Sequence, residues 1–132
     1  MAVQAIAKGV RMSPRKVQEV AALVRGRTVA DDLVILEHTP RLSAVPVRKT
    51  IESARANADH NHNYKPDTLR IIEISVSAGP RTKRFRPAAR GSANPFMHRS
   101  SHIKVVVDGV VREPKKAAPS KLAATTAKKE TK

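Results

Sequence analysis

One long stretch of the chain carries lysine and arginine with no acid to balance them. From Gly79 to His102 it reads GPRTKRFRPAARGSANPFMHRSSH, and no Asp or Glu occurs between Ile74 and Val107. Seven bases fall from Arg81 to Lys104: Arg81, Lys83, Arg84, Arg86, Arg90, Arg99 and Lys104. A guanidinium presents a planar fork of donors that matches phosphate oxygens, and charge strengthens each bond. Arg84, Arg86 and Arg90 can each make such contacts. Phe85, set among them, can stack on a base, wedge into a groove or pack on its own chain. A second cluster, Lys8, Arg11, Arg15 and Lys16, surrounds the start of a helix. Arg15 and Lys16 there oppose the helix dipole, so helix stability does not account for them. A phosphate at that end would satisfy the free N–H groups and both charges.

Other chemistries lack their residues. Asp59, His60 and His62 in DHNH suggest a metal site, but histidines two apart at a helix end do not share a face, and spacing identifies no further ligands. There is no glycine-rich phosphate loop, nucleophile elbow or spaced pair of catalytic carboxylates. The expectation is a protein that is not an enzyme and has no metal and no cofactor.

Composition points the same way. The 132 residues carry 26 bases against 11 acids, a net charge of +15, and such a field draws polyanions, above all nucleic acid. No basic amphipathic helix of the kind that lies on membranes appears. No apolar run approaches a membrane span, and MAVQAIAKGVRMSPRK lacks the apolar core of a signal peptide. With no cysteine, disulfides and thiolate metal sites are excluded. One Tyr, two Phe and no Trp are few for a binder built on stacking platforms, which shifts the expectation toward phosphate and shape contacts.

The elements that position these residues follow from pattern. The first ten residues alternate loosely, as a strand does. RMSPRKVQEVAALVRGR opens a helix with Ser13 as N-cap and Pro14 at the first position, where its missing N–H costs nothing. Val17, Val20, Ala21 and Val24 share one face, and Gly26 ends it. A short helix runs from Val29 to about His38, capped by Thr28, with Asp31 and Asp32 favourably placed in its first turn. A third carries Ala44, Val47, Ile51, Ala54 and Ala58 on one stripe, with Pro46 in its first turn. Arg48, Glu52, Arg55 and Asp59 interleave as charge pairs on another face. NHNYKPD breaks the chain. In the next strand Ile72, Ile74, Val76 and Ala78 are expected on one side, with Glu73, Ser75 and Ser77 on the other. A last strand is expected over Ile103 to Val111. Residues 112–132, REPKKAAPSKLAATTAKKETK, hold seven bases, two acids and one large aliphatic residue. They read as a disordered basic tail, either a nucleic-acid arm or a solubilising end.

The acid-free connector is long for a loop inside a compact domain. One reading is a loose loop. The other continues the two flanking strands outward as an antiparallel hairpin arm, about residues 79–102, with Pro87, Gly91 and Pro95 marking a bent tip. Such an arm would reach on the order of 50 Å from Ile74 to Arg90. A ribbon of this kind is marginal alone, and phosphates along its edges would hold it.

RMSPRKV, ANADHNH, GPRTKRFRP…ARG and SSHIKVVV, in this order and spacing, resemble the family of the twenty-second protein of the bacterial large ribosomal subunit. The likeness covers all but the tail. It implies an α+β fold: a small three-stranded antiparallel sheet packed against three helices, with a long protruding β-hairpin, in one RNA-binding domain over residues 1–111. It implies a cytoplasmic place in the ribosome, binding to large-subunit ribosomal RNA, a part in subunit assembly, and a hairpin that lines the peptide exit tunnel. Implied partners are that RNA, neighbouring large-subunit proteins and the nascent peptide near the tip, with no membrane and no homo-oligomer.

Carried over by position, Lys8, Arg11, Ser13, Pro14, Arg15, Lys16, His60 and His62 would meet RNA from the globular part. Arg81, Lys83, Arg84, Phe85, Arg86, Arg90, Gly91, His98, Arg99, His102 and Lys104 would meet it from the arm and its root. Lys83, Arg84, Arg86, Pro87, Ala88, Ala89, Arg90 and Gly91 would stand beside the tunnel. Ala88 replaces a base usual in the family, and SANPFMHR is less basic than the usual returning strand. The rival reading is an architectural DNA-binding protein, which also extends basic β-arms into a groove.

Overall fold

A computed structural model describes residues 2–112, and the expected tail lies outside them apart from Arg112. The elements are β1 (Val3–Val10), α1 (Pro14–Leu23), α2 (Val29–His38), α3 (Ala44–His62), β2 (Arg70–Pro87) and β3 (Ala93–Asp108). The three strands form one antiparallel sheet in the order β1-β3-β2. The fold is the expected α+β arrangement of three helices on a three-stranded sheet.

Local chemistry explains each helix. Ser13 precedes Pro14 at the start of α1. Val17, Val20, Ala21 and Val24 are all fully buried, and Gly26 turns the chain at φ +80°, a left-handed conformation that glycine takes without a Cβ penalty. Thr28 Oγ1 caps α2, accepting from the Asp31 N–H at 3.3 Å. Pro46 sits in the first turn of α3, where no intrahelical N–H is needed. Ala44, Val47, Ile51, Ala54 and Ala58 form the buried stripe of that helix, and its alanines let the helix lie close to the sheet. Arg48 pairs with Glu52 at 3.2 Å, whereas Asp59 turns to Arg112, 3.7 Å away. Arg112 also donates its backbone N–H to the Asn63 carbonyl at 2.6 Å, so it is tied back to the end of α3.

The core lies between one face of the sheet and the helices. Val3, Ala5, Ile71, Ile74, Ile103, Val105 and Val107 face inward, against Val17, Val20, Val47, Ile51 and the α3 alanines. Burying such a set removes apolar surface from water at roughly 25 cal/mol per Å². Asp32 breaks the pattern. It is fully buried, and neither carboxylate oxygen has a hydrogen-bond partner among the described residues. Burial pushes its pKa up to about 6, with Arg27 pulling against that and Asp31 adding to it.

Two sequence expectations need correcting. Ile72 does not join Ile74 inside; it is 57% exposed, and Ile71 is buried instead. The cause is a bulge: Ile71 stands opposite Val107 and Glu73 opposite Val106, so Ile72 is an extra residue in β2. An extra residue shifts the two-residue alternation by one. Ala78 is likewise exposed, since by that point the strand is leaving the core. The last strand ends at Asp108 rather than Val111. Asp108 Oδ1 there accepts from the Gly109 N–H at 2.9 Å, and Val110 and Val111 are exposed.

Candidate nucleic-acid interface

The acid-free connector is a ribbon. β2 and β3 stay paired beyond the core from Arg81 opposite Arg99 to Pro87 opposite Ala93, which replaces the loose-loop reading with the hairpin arm. The reach from Arg81 to Arg90 is roughly 30 Å at strand spacing. Two bulges mark where it leaves the domain. Gly79 and Pro80 stand opposite Ser100 in β2, and Lys8 and Gly9 stand opposite His102 in β1. A side chain at Gly79 would crowd this corner, because a Cβ would lie 2.6 Å from Ser100 Oγ and 3.1 Å from its backbone carbon. Ser100 Oγ donates to the Pro80 carbonyl at 2.6 Å, closing the same corner.

The tip is a tight turn. Ser92 donates its N–H to Ala89 O at 3.3 Å, and Ala88 donates to Ser92 O at 2.8 Å. Arg90 and Gly91 between them have φ of 59° and 74°. Positive φ at both central residues is what a two-residue hairpin turn of the right twist demands. Pro87 and Gly91 do mark the tip. Pro95 does not; it pairs with Phe85 inside the ribbon, tolerated because the missing N–H of a two-stranded ribbon can face outward.

Strand alternation sorts the arm's side chains. Thr82, Arg84 and Arg86 share one face with Asn94, Phe96 and His98, their cross-strand partners. Arg81, Lys83, Phe85 and Pro87 share the other with Arg99, Met97, Pro95 and Ala93. The Arg86 guanidinium lies 5.5 Å from the Phe96 ring centre, and Phe96 meets His98 edge to face at 5.1 Å. Phe96 is therefore the ring that packs on the ribbon, while Phe85 is 72% exposed and free to stack on a partner.

The fold joins the two basic clusters, which lie about 70 residues apart in the chain. Arg11, Pro80, Thr82, Arg84, His98 and Arg99 line one concavity, with Gly9 and Ser100. Arg11, Ser13 and Lys16 line a second, with Met12, Met97, His98 and Arg99. A third and larger one, about 750 Å³, is lined by Met12, Ser13, Arg15, Lys16, Glu19, Arg41, Leu42, Ser43 and Arg99. His98 and Arg99, at the root of the arm, are thus shared with the start of α1. Arg41 is ion-paired with Glu19. Among the described residues no carboxylate comes within ion-pair distance of Arg15, Lys16, Arg99 or any base of the arm. Arg41, Met12, Leu42 and Phe96 escaped the sequence reading: Arg41 and Leu42 lie outside both basic clusters, and Met12 and Phe96, though inside them, carry no charge.

The remaining candidates are dispersed. His102 accepts the Gly9 N–H on Nδ1. Lys104 is half-buried on the open sheet face, between Ile6 and Ser75. His60 and His62 are exposed on the last turn of α3, where the His62 ring meets Tyr64 edge to face at 6.3 Å. Asp59, turned to Arg112, does not converge with them. Burial and the Asp108 carboxylate raise the pKa of Tyr64.

A family model described as ribosomal protein L22p/L17e matches residues 5–108. The chain belongs to that family. It is 47% identical over 108 residues to the large ribosomal subunit protein uL22 of Herpetosiphon aurantiacus, covering 82% of this chain and 96% of that one. It is 49% identical over 104 residues to uL22 of Desulfitobacterium hafniense, covering 79% and 91%. With uL22 of a Synechococcus strain it shares 44% identity over 118 residues, 89% and 94% of the two chains. The matched range takes in both basic clusters and the entire arm.

Proposed function

We propose that the chain is a structural constituent of the cytoplasmic large ribosomal subunit and not an enzyme. Residues 1–111 act as one unit that binds large-subunit ribosomal RNA, supports subunit assembly and lines the peptide exit tunnel with the hairpin. The observation that carries this is that bases at the start of α1 and at the root of the acid-free arm line shared concavities, on a chain of the L22p/L17e family. Arg11, Arg15 and Lys16 grip phosphates from the domain. Lys83, Arg84 and Arg86 do so along the arm, where polyanion contacts offset the ribbon's self-repulsion. Pro87 to Gly91 stand at the tunnel wall near the nascent peptide, and neighbouring subunit proteins meet the domain.

Sedimentation of the tagged chain from a lysate, with particles and nucleic acids followed in every fraction, tests this. Co-migration with large subunits that survives DNase and is lost on RNase is expected. Migration with DNA, released by DNase, would make the arm a DNA clamp instead.

A further inference from the structure

The groove between α1, the approach to α3 and the root of the arm has more than a phosphate track requires. A ridge of cations suffices to follow a backbone. This groove is about 750 Å³, inside the roughly 300–1,000 Å³ range of small-ligand sites, and it has an apolar wall. Leu42 lines it while 78% exposed, and Met12 lines the same groove. A single exposed leucine is ordinary; one placed among Arg15, Lys16, Arg41 and Arg99 offers an apolar surface where charge gathers anions. Arg41 differs from the other three. It is ion-paired with Glu19 and lines the groove together with Leu42, whereas Arg15, Lys16 and Arg99 keep their charge for a ligand.

Resting on the RNA-binding reading above, we propose that this groove receives one unstacked nucleotide of RNA. The phosphate lies among Arg15, Lys16 and Arg99, and the base lies against Leu42 and the plane of Arg41. RNA displays such nucleotides at bulges and loops, where splayed bases stack on aromatic rings or Arg guanidinium planes; Arg41 supplies the guanidinium here and Leu42 an apolar contact beside it. The groove thus gives the domain a shape-selective contact, in addition to the salt-sensitive grip of the arm.

The test is a methyl-detected NMR titration of the full chain with adenosine 5′-monophosphate, ribose 5-phosphate and inorganic phosphate, paired with binding of large-subunit RNA across a salt series. The nucleotide should shift the Leu42 and Met12 methyls and bind at least about fivefold tighter than ribose 5-phosphate, the lower end of a single base-stacking contact. Leu42→Ser should abolish that preference and weaken RNA binding with its salt slope unchanged. Arg99→Gln should weaken all three small probes and lower the RNA salt slope by about 1. Equal affinity for the nucleotide and ribose 5-phosphate, or RNA affinity unchanged by Leu42→Ser, would overturn the groove proposal and leave the RNA-binding reading standing. Failure of the unsubstituted chain to bind ribosomal RNA would instead remove that reading, and this proposal with it.

Discussion

Gly9 donates its backbone N–H to Nδ1 of His102 across 3.0 Å. Gly9 has φ +70° and lies in the β1 bulge, while His102 lies in β3 just before the arm leaves the domain. One bond therefore fastens the edge of the sheet to the root of the arm, close to where Arg11 and Arg84 share a concavity. His102→Phe keeps a ring and removes the acceptor. It should lower stability by ~0.5–1.5 kcal/mol in chemical denaturation and loosen hydrogen exchange at Gly9. Unchanged exchange there would show that the bond contributes nothing.

The bulge at Gly79 sets the direction of the arm. Gly79→Val drives a side chain against Ser100, whose neighbours Arg99 and Ser101 are paired with Arg81 and Ala78. Overpacking of this sort costs about 1–3 kcal/mol. Faster proteolytic cleavage in the arm, with the domain still folded, is the expected result. Wild-type cleavage rates would mean the corner absorbs the change.

Changing Lys83, Arg84 and Arg86 together to Ala should leave the cooperative melt of the domain within about 0.5 kcal/mol, since all three are exposed. The affinity for large-subunit RNA should fall, and the salt slope should drop by roughly 2–3. Loss of the melt would make the arm part of the folding core.

Asp32 predicts a pH dependence of definite sign. Its folded-state pKa, about 6, lies above the ordinary value of 3.8, so between these values the folded chain binds more protons than the unfolded one. Stability from this group is greatest below about pH 4, declines as pH rises, and is lost above about pH 6. The decline amounts to at most ~3 kcal/mol. Denaturation across that range should show Asp32→Asn gaining on the parent as pH rises. A constant difference between the two would mean that Asp32 titrates normally.

Truncation after Arg112 should leave the thermal midpoint unchanged, whereas Arg112→Ala should lower the domain's stability by a few tenths of a kcal/mol through loss of an exposed ion pair with Asp59. A large loss from truncation alone would assign the tail a structural part.

Much of this was legible in the sequence because local rules and periodicity agree with the tertiary outcome. Ser13-Pro14 starts α1 and Gly26 ends its turn, each by backbone chemistry that needs no partner. The α3 stripe from Ala44 to Ala58 is buried as its spacing requires. The absence of acid from Ile74 to Val107 makes that segment cationic whatever its conformation, since composition sets charge directly. What pattern could not supply was strand register. One extra residue at Ile72 reverses which isoleucines face inward, and only the pairing with β3 decides that. Pro95 looks like a turn residue by type, yet cross-strand pairing puts it inside the ribbon. The groove holding Arg15, Arg41, Leu42 and Arg99 draws on three separate stretches of chain. Its members have no common spacing, because they are brought together by the packing of α1 and α3 against the sheet and by the bulges that aim the arm.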